Sequence, residues 1–330
     1  MSGLLAAGSI NDSFLVFVLA SAVIYGTPLV YAALGELLAE RSGVLNLGVE
    51  GMMLVGAVMG FWTVQRVEAT SSLSLTAAVG IAALAGAAMA LIHAFLVITL
   101  RASQIVSGLA LTIFAGAAGL SSYLGNDLDL ADAPAKHRFD NVDVLGLADA
   151  PVVGPILFGQ SVLVYGSWAA VLAVGLYLTR TRPGLNVRAV GESPAAADAM
   201  GINVTAYRYV HTLAGGALAG VAGACYSLQI TPQWVTGITG GVGWIAIALV
   251  IFSFWRADLC LVGAYLFGAF SALPFALQAR GYLAGVPSEV FQSLPYVMTI
   301  VVLVIVSTGF AKRRLGAPAA LGLPYVREER

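Results

Sequence analysis

The chain has 330 residues, of which 59% are hydrophobic and only 10% charged, with a mean hydropathy of +0.90 and a formal net charge of −1. A soluble domain of this length carries about 25% charged residues, so a water-exposed globular fold is excluded and the main solvent must be lipid. Cys225 and Cys260 lie in apolar runs and read as small core residues, while His93, His137 and His211 lack ligand spacing, so neither a disulfide framework nor a metal centre is expected.

A spanning helix needs about 20 mostly apolar residues. In chain order this criterion predicts nine, over 14–38, 44–64, 73–100, 104–124, 161–179, 207–230, 241–255, 259–279 and 290–310. The first lacks a preceding basic segment and reads as a span rather than a signal peptide. Its Gly26-Thr27-Pro28 should kink it. The seventh is short and opens among Gly237, Gly240, Gly241 and Gly243, so a broken or re-entrant helix is expected there. The expected fold class is an all-α polytopic membrane protein forming one domain. It divides into a first helical half (13–124), an acidic external loop (125–160), a linking span (161–179), a cytoplasmic loop (180–206), a second helical half (207–310) and a cytoplasmic tail (311–330).

Nine spans put the termini on opposite sides. Placing Lys312, Arg313 and Arg314 inside also brings in Arg41, Arg101, Arg180, Arg182, Arg188, Arg208, Arg256, Arg327 and Arg330, which makes 12 of the 16 basic residues. Only Arg66, Lys136, Arg138 and Arg280 are then outside, and Asp127, Asp129, Asp132, Asp140, Asp143 and Asp149 crowd the external loop. Basic residues favour the cytoplasmic side, so the N-terminus is expected outside and the C-terminus in the cytoplasm.

In the inner loop, Ser193 reads as the N-cap and Pro194 as the first residue of a short helix through AAADAM, stopped by Gly201. An ordinary connection and a helix presented to a partner are both open readings. Spans one to four begin outside and spans six to nine inside. In each half a stretch rich in small residues opens the second span, SGVLNLGVEG and GITGGVGWIA, as in transporters built from inverted repeats.

Glu36, Asn46 and Glu50 sit in or beside spans one and two, and an acid at membrane depth is costly enough to need a paired or functional role. Asn46 and Glu50 share a helix face if the helix is continuous. Two readings stand for Glu50, lining a cavity or hydrogen-bonded helix packing. Gln104, Ser107, Thr112, Gln229 and Trp244 could line a path for an uncharged polar solute or bond helix to helix. Gly56/Gly60 and Gly216/Gly220 fit close helix packing. Asn203-Val204-Thr205 matches a glycosylation acceptor, but on the inner side it is discarded. The chain has no GxxxxGK[ST] phosphate loop, HExxH or GxSxG, so ATP hydrolysis by this chain is not expected and an enzyme is disfavoured.

The stretch GELLAERSGVLNLGVEGMMLVGA resembles bacterial ABC-importer permeases of the ribose/branched-chain amino-acid transport superfamily, in the nucleoside branch associated with basic-membrane lipoproteins. VRAVGESPAAADAMGINV resembles that branch's coupling segment, and GGVGWIAIALVIF resembles its second-half motif. The likeness runs from about Tyr25 to Val306, with one departure: SFWRADLC replaces the usual Gly/Pro-rich ending. The resemblance implies a permease in the bacterial plasma (inner) membrane, paired with a second permease subunit as a heterodimer. ABC ATPase subunits would carry ATP and Mg, a lipoprotein would deliver the solute, and this chain would hold no cofactor.

The resemblance also implies that Glu192, Ser193, Pro194, Ala195, Ala196, Asp198, Gly201 and Ile202 meet the ATPase. It puts Asn46, Glu50, Gly241 and Trp244 near the substrate pathway, to which the polar reading adds Gln104. Nucleosides suit a pathway with few charges, as do simple sugars and riboflavin. A stand-alone channel, an ion-coupled carrier and a membrane scaffold are the alternatives of different class.

Overall fold

The computed structural model describes residues 14–116, 118–131, 134–279, 287, 290, 293–307 and 316–326. Its helices are α1 (Phe14–Arg41), α2 (Val49–Arg66), α3 (Ser71–Ala94), α4 (Gln104–Ala115), α5 (Leu120–Asp127), α6 (Val162–Arg180), α7 (Arg182–Glu192), α8 (Pro194–Ala199), α9 (Val204–Cys225), α10 (Val242–Phe252), α11 (Ala257–Ala279) and α12 (Leu294–Ser307). Widened π-helical turns, Phe95–Thr99 and Tyr226–Ile230, extend α3 and α9. Among the described residues, six helices are long and apolar enough to cross a membrane, and α10 is a shorter apolar helix. Asp132, Arg280, Lys312, Arg313, Arg314, Arg327 and Arg330, used above for orientation, lie outside the described residues.

Close approach of backbones organises the bundle. α9 is its hub, packed on α1, α2 and α3, while α11 packs along the far side of α1. A methyl added at Gly35 would stand 2.4 Å from the carbonyl oxygen of Gly215, and one at Gly220 would stand 2.0 Å from that of Ala82. Such contacts forbid any side chain. Without a hydrophobic force between helices in lipid, this intimate packing supplies the attraction. The Gly56 and Gly216/Gly220 packing expectation is met: Gly56 lies against Gly220, and Gly216 against Gly86.

Three boundaries differ from expectation. The second span begins at Val49, not 44, because Gly43 (φ +89°) ends α1. There the Val44 amide donates to the Ala39 carbonyl and the Gly43 amide to that of Glu40, the pair of bonds that closes a helix in a left-handed turn. The fourth expected span is present as Gln104–Asp127, one of the six long stretches, but its helix breaks after Ala115 and resumes as α5 at Leu120. The 180–206 loop carries a whole extra helix, α7, before the expected short one. Thr181 caps it by accepting from the Gly184 amide at 3.1 Å.

The expected α8 is present. Ser193 Oγ accepts from the Ala196 amide at 3.4 Å, and Gly201 (φ +82°) ends it. Asn203, in the discarded glycosylation triplet, caps α9 by accepting from the Ala206 amide. The all-α expectation misses one small feature. In the acidic loop, Asn141–Asp143 (β1) pairs antiparallel with Gly159–Ser161 (β2), with Val142 opposite Gln160.

Candidate functional site

Two interruptions of the helical backbone lie inside the bundle, and the polar residues singled out in the sequence gather around them. The first is Val44–Gly48, between α1 and α2. Non-helical backbone at membrane depth is tolerated only if its amides and carbonyls find partners. Here they do. The Leu45 amide donates to Gln104 Oε1 (2.7 Å) and the Asn46 amide to Glu36 Oε1 (3.0 Å). The Leu47 carbonyl accepts from Thr112 Oγ1 (2.9 Å). Asn46 Oδ1 takes the Gly48 amide (3.1 Å), an Asx turn leading into α2. His93 Nε2 lies 3.1 Å from the Leu45 carbonyl, which can only accept, so Nε2 carries the proton and Nδ1 accepts from Ser107 Oγ at 3.0 Å. Asn46 and Gln104 are thereby brought together, buried, with their oxygens occupied by backbone.

The second interruption precedes α10, where Gly237, Gly240 and Gly241 all have positive φ. Glu50 reaches it from the first turn of α2. Its Oε1 accepts from Thr239 Oγ1 (2.5 Å) and the Gly241 amide (2.8 Å), and its Oε2 from the Gly243 amide (2.7 Å). A carboxylate at the start of a helix satisfies orphan amides and meets the positive end of the helix dipole. A methyl at Gly243 would stand 2.6 Å from the Glu50 backbone nitrogen, so only glycine admits this approach. Glu50 and Gly241 therefore form one unit. Trp244, 37% exposed, joins the same turn through its amide, which donates to the Gly241 carbonyl at 3.0 Å.

Beside this second interruption lies a cavity of about 530 Å³, formed by α1, the turn after α9, the 238–240 segment, α10, α11 and α12. Thr239, held by Glu50, forms part of its wall. Four aromatic rings, Tyr25, Tyr226, Phe275 and Tyr296, share the lining with aliphatic side chains. Tyr25 and Phe275 are nearly parallel, 7° between planes and 5.8 Å between centroids. The Tyr296 hydroxyl donates to the Gly240 carbonyl, tying α12 to the same segment. Gln278, Ser271 and Thr231 add uncharged polar groups to the lining. Ligand sites of about 300–1,000 Å³ with apolar walls and a few polar groups are the usual form for small solutes. None of Asn46, Glu50, Gln104, Gly241 or Trp244 lines this cavity. The sequence reading missed its aromatic residues because a Tyr or Phe in an apolar helix gives no signal distinct from packing.

A third region gathers the remaining singled-out residues. α8 is anchored by a small apolar cluster of Val190, Ala197 and Val204, with Ile202 and Tyr325 packed on it. Pro194 and Ile202 are half-buried, whereas Glu192, Ser193, Ala195, Ala196, Gly201 and the adjoining Met200 (83%) are exposed. Asp198 is half-buried and accepts from the Tyr325 hydroxyl at 2.9 Å.

A polytopic helical bundle with paired backbone interruptions, an uncharged aromatic cavity and a capped helix displayed at one end is a membrane transporter subunit in design. The comparisons place it further. The family model described as branched-chain amino acid transport system / permease component matches residues 18–305, and the chain belongs to that family. It is 40% identical to a putative glucose ABC transporter permease protein, TsgC13 of Haloferax volcanii, over 96% of this chain and 99% of the relative. It is 34% identical to the nucleoside ABC transporter permease protein NupC of Lactococcus lactis (94% and 97%). It is 35% identical to the guanosine ABC transporter permease protein NupQ of Bacillus subtilis (93% and 96%). No solved structure matches.

Proposed function

We propose that the chain is one of two membrane-spanning subunits of an ATP-driven nucleoside importer, and that the solute passes through the aromatic cavity. The flat, nearly parallel Tyr25–Phe275 surface carries this reading, since a nucleobase stacks on aromatic faces and the lining holds no formal charge. The names of the Lactococcus and Bacillus relatives support the same solute class. Glu50 and Gly241 act behind the wall, holding Thr239 and the start of α10 in place. Asn46 and Gln104 hold the other interruption, and Trp244 is not part of the cavity lining. A sugar is the second reading, favoured by the 40% identity to the Haloferax relative.

In this reading nine spans cross the membrane, with α2, α10 and α12 joining the six long ones. The N-terminus is outside and the C-terminus in the cytoplasm. The halves are inverted repeats, α1 to α4 answering α9 to α12. Two matching glycine crossings support this: Gly86 of α3 against Gly220 of α9, and Gly268 of α11 against Gly26 of α1. The segment from Glu192 to Ile202 docks in a partner ATPase, which binds ATP and Mg. The second permease is a related but different chain, and a binding lipoprotein delivers the solute. Alternating access then moves it inward.

The test is uptake in cells expressing the complete transporter. ATP-dependent uptake of labelled guanosine that unlabelled nucleosides suppress and glucose does not is the expected result. ATP-dependent uptake of labelled glucose with none of labelled guanosine selects the sugar reading. Uptake by this chain without an ATPase refutes both. Separately, Ala196→Arg places a bulky charge on the exposed face of α8 and should abolish co-purification of the ATPase while leaving membrane insertion intact.

A further inference from the structure

The segment 316–326 has the composition of a loose tail, yet it is tied down along its length. The Gly316 carbonyl accepts from Arg41 Nη1 (3.3 Å), the Ala320 amide donates to the Gly191 carbonyl (2.9 Å), and the Gly322 amide donates to that of Gly43 (3.3 Å). The Ala319 amide donates to Glu192 Oε2 (3.3 Å), and the Leu323 carbonyl accepts from Arg208 Nη1 (3.2 Å). Finally the Tyr325 hydroxyl donates to Asp198 on α8. The segment thus runs from the end of α1, along the end of α7, past the start of α9, and finishes on α8.

α8 needs such support. Six residues are too few to hold a helix in water, and its own packing is little more than Ala197 against Val190 and Val204. Tyr325 packs on that same cluster. Gly322 (φ +79°) sits where the chain turns from the α1 end toward α9 and α8. α1 and α9, the two helices the segment grips besides α7 and α8, are the pair in contact at Gly35 and Gly215 in the centre of the bundle.

We propose that residues 316–326 form a positioning strap that fixes α8 to the central pair α1 and α9, so that displacement of α8 is delivered to the helices around the cavity. The identity of what displaces α8, a partner ATPase, rests on the function proposed above; the strap itself does not. Tyr325 is a positioning residue that acts through Asp198. Arg41 and Arg208 hold the strap's two carbonyl anchors to α1 and α9.

Hydrogen exchange on the full chain in nanodiscs tests the strap without any partner. Tyr325→Phe keeps the ring and removes the hydroxyl bond, and amides of 196–202 should exchange about tenfold faster while those of α1 and α9 in the bundle are unchanged. Asp198→Asn, with Tyr325 intact, keeps an acceptor oxygen and should retain wild-type protection. Wild-type exchange of α8 both in Tyr325→Phe and in a chain ending at residue 315 overturns the strap. In the assembled transporter, solute moved per ATP hydrolysed should fall several-fold in Tyr325→Phe and recover with the ring hydroxyl restored. Faster exchange with an unchanged ratio overturns the positioning role. If the wild-type transporter shows no ATP-dependent uptake, the proposed function fails, and the exchange result still decides the strap.

Discussion

The two backbone interruptions answer the same physical problem in opposite ways. Before α2, the chain crosses Val44–Gly48 with four of its backbone groups met by four different side chains, Gln104, Glu36, Thr112 and His93, from three helices. Before α10, a single carboxylate, Glu50, gathers three donors by itself. The first is distributed and sealed within the bundle. The second is concentrated, glycine-rich and borders the aromatic cavity. A segment with positive φ at Gly237, Gly240 and Gly241, held by Glu50 and by the Tyr296 hydroxyl, can rearrange as a unit when those anchors shift. Under the function proposed above, the first interruption is structural and the second, which borders the cavity, is the one that meets the solute.

The two glutamates sharpen this contrast. Glu50 uses both oxygens as acceptors, so Glu50→Gln must turn an amide N–H toward a backbone N–H. That should cost about 3 kcal/mol in thermal unfolding and reduce uptake more than tenfold. Gly243→Ala attacks the same contact from the other side, with its new methyl 2.6 Å from the Glu50 backbone. A loss of about 2 kcal/mol, with uptake lost in parallel, is expected from the same measurements. Tyr25→Ala removes a stacking surface and should lower the rate of guanosine uptake about tenfold, with the amount of protein in the membrane unchanged.

At the first interruption the effects are smaller. Asn46→Ala loses the turn into α2 and should lower the unfolding midpoint by the equivalent of about 1 kcal/mol, with uptake per folded molecule retained. Glu36 has one oxygen on the Asn46 amide, and its buried carboxyl lies beside that of Glu40. Glu36→Gln keeps the used acceptor, so a change below about 1 kcal/mol is expected. A Glu36→Gln variant as damaged as Glu50→Gln would erase the distinction between the two regions.

How much was legible follows from the range of each interaction. The long helices are written in continuous apolar length, and α8 in Ser193, Pro194 and Gly201, all within one short stretch. α7 escaped because RPGLNVRAVGE is polar and holds two glycines, while its cap and packing against the α1 end are tertiary facts. Asn46 and Glu50 stand out in the sequence as costly polar residues. Their assumed common helix face failed because α2 starts only at Val49. What they hold was unreadable, since the partners of Glu50 lie 189 to 193 residues away. The cavity's aromatic residues were hidden for the opposite reason: nothing local separates them from core.

The most direct measurement is the initial rate of ATP-dependent guanosine uptake by Phe275→Leu, which keeps apolar volume on α11 but removes the ring facing Tyr25. The account predicts a fall of about tenfold with wild-type assembly of the transporter. A wild-type rate would show that the aromatic cavity beside the second interruption is not on the solute's path.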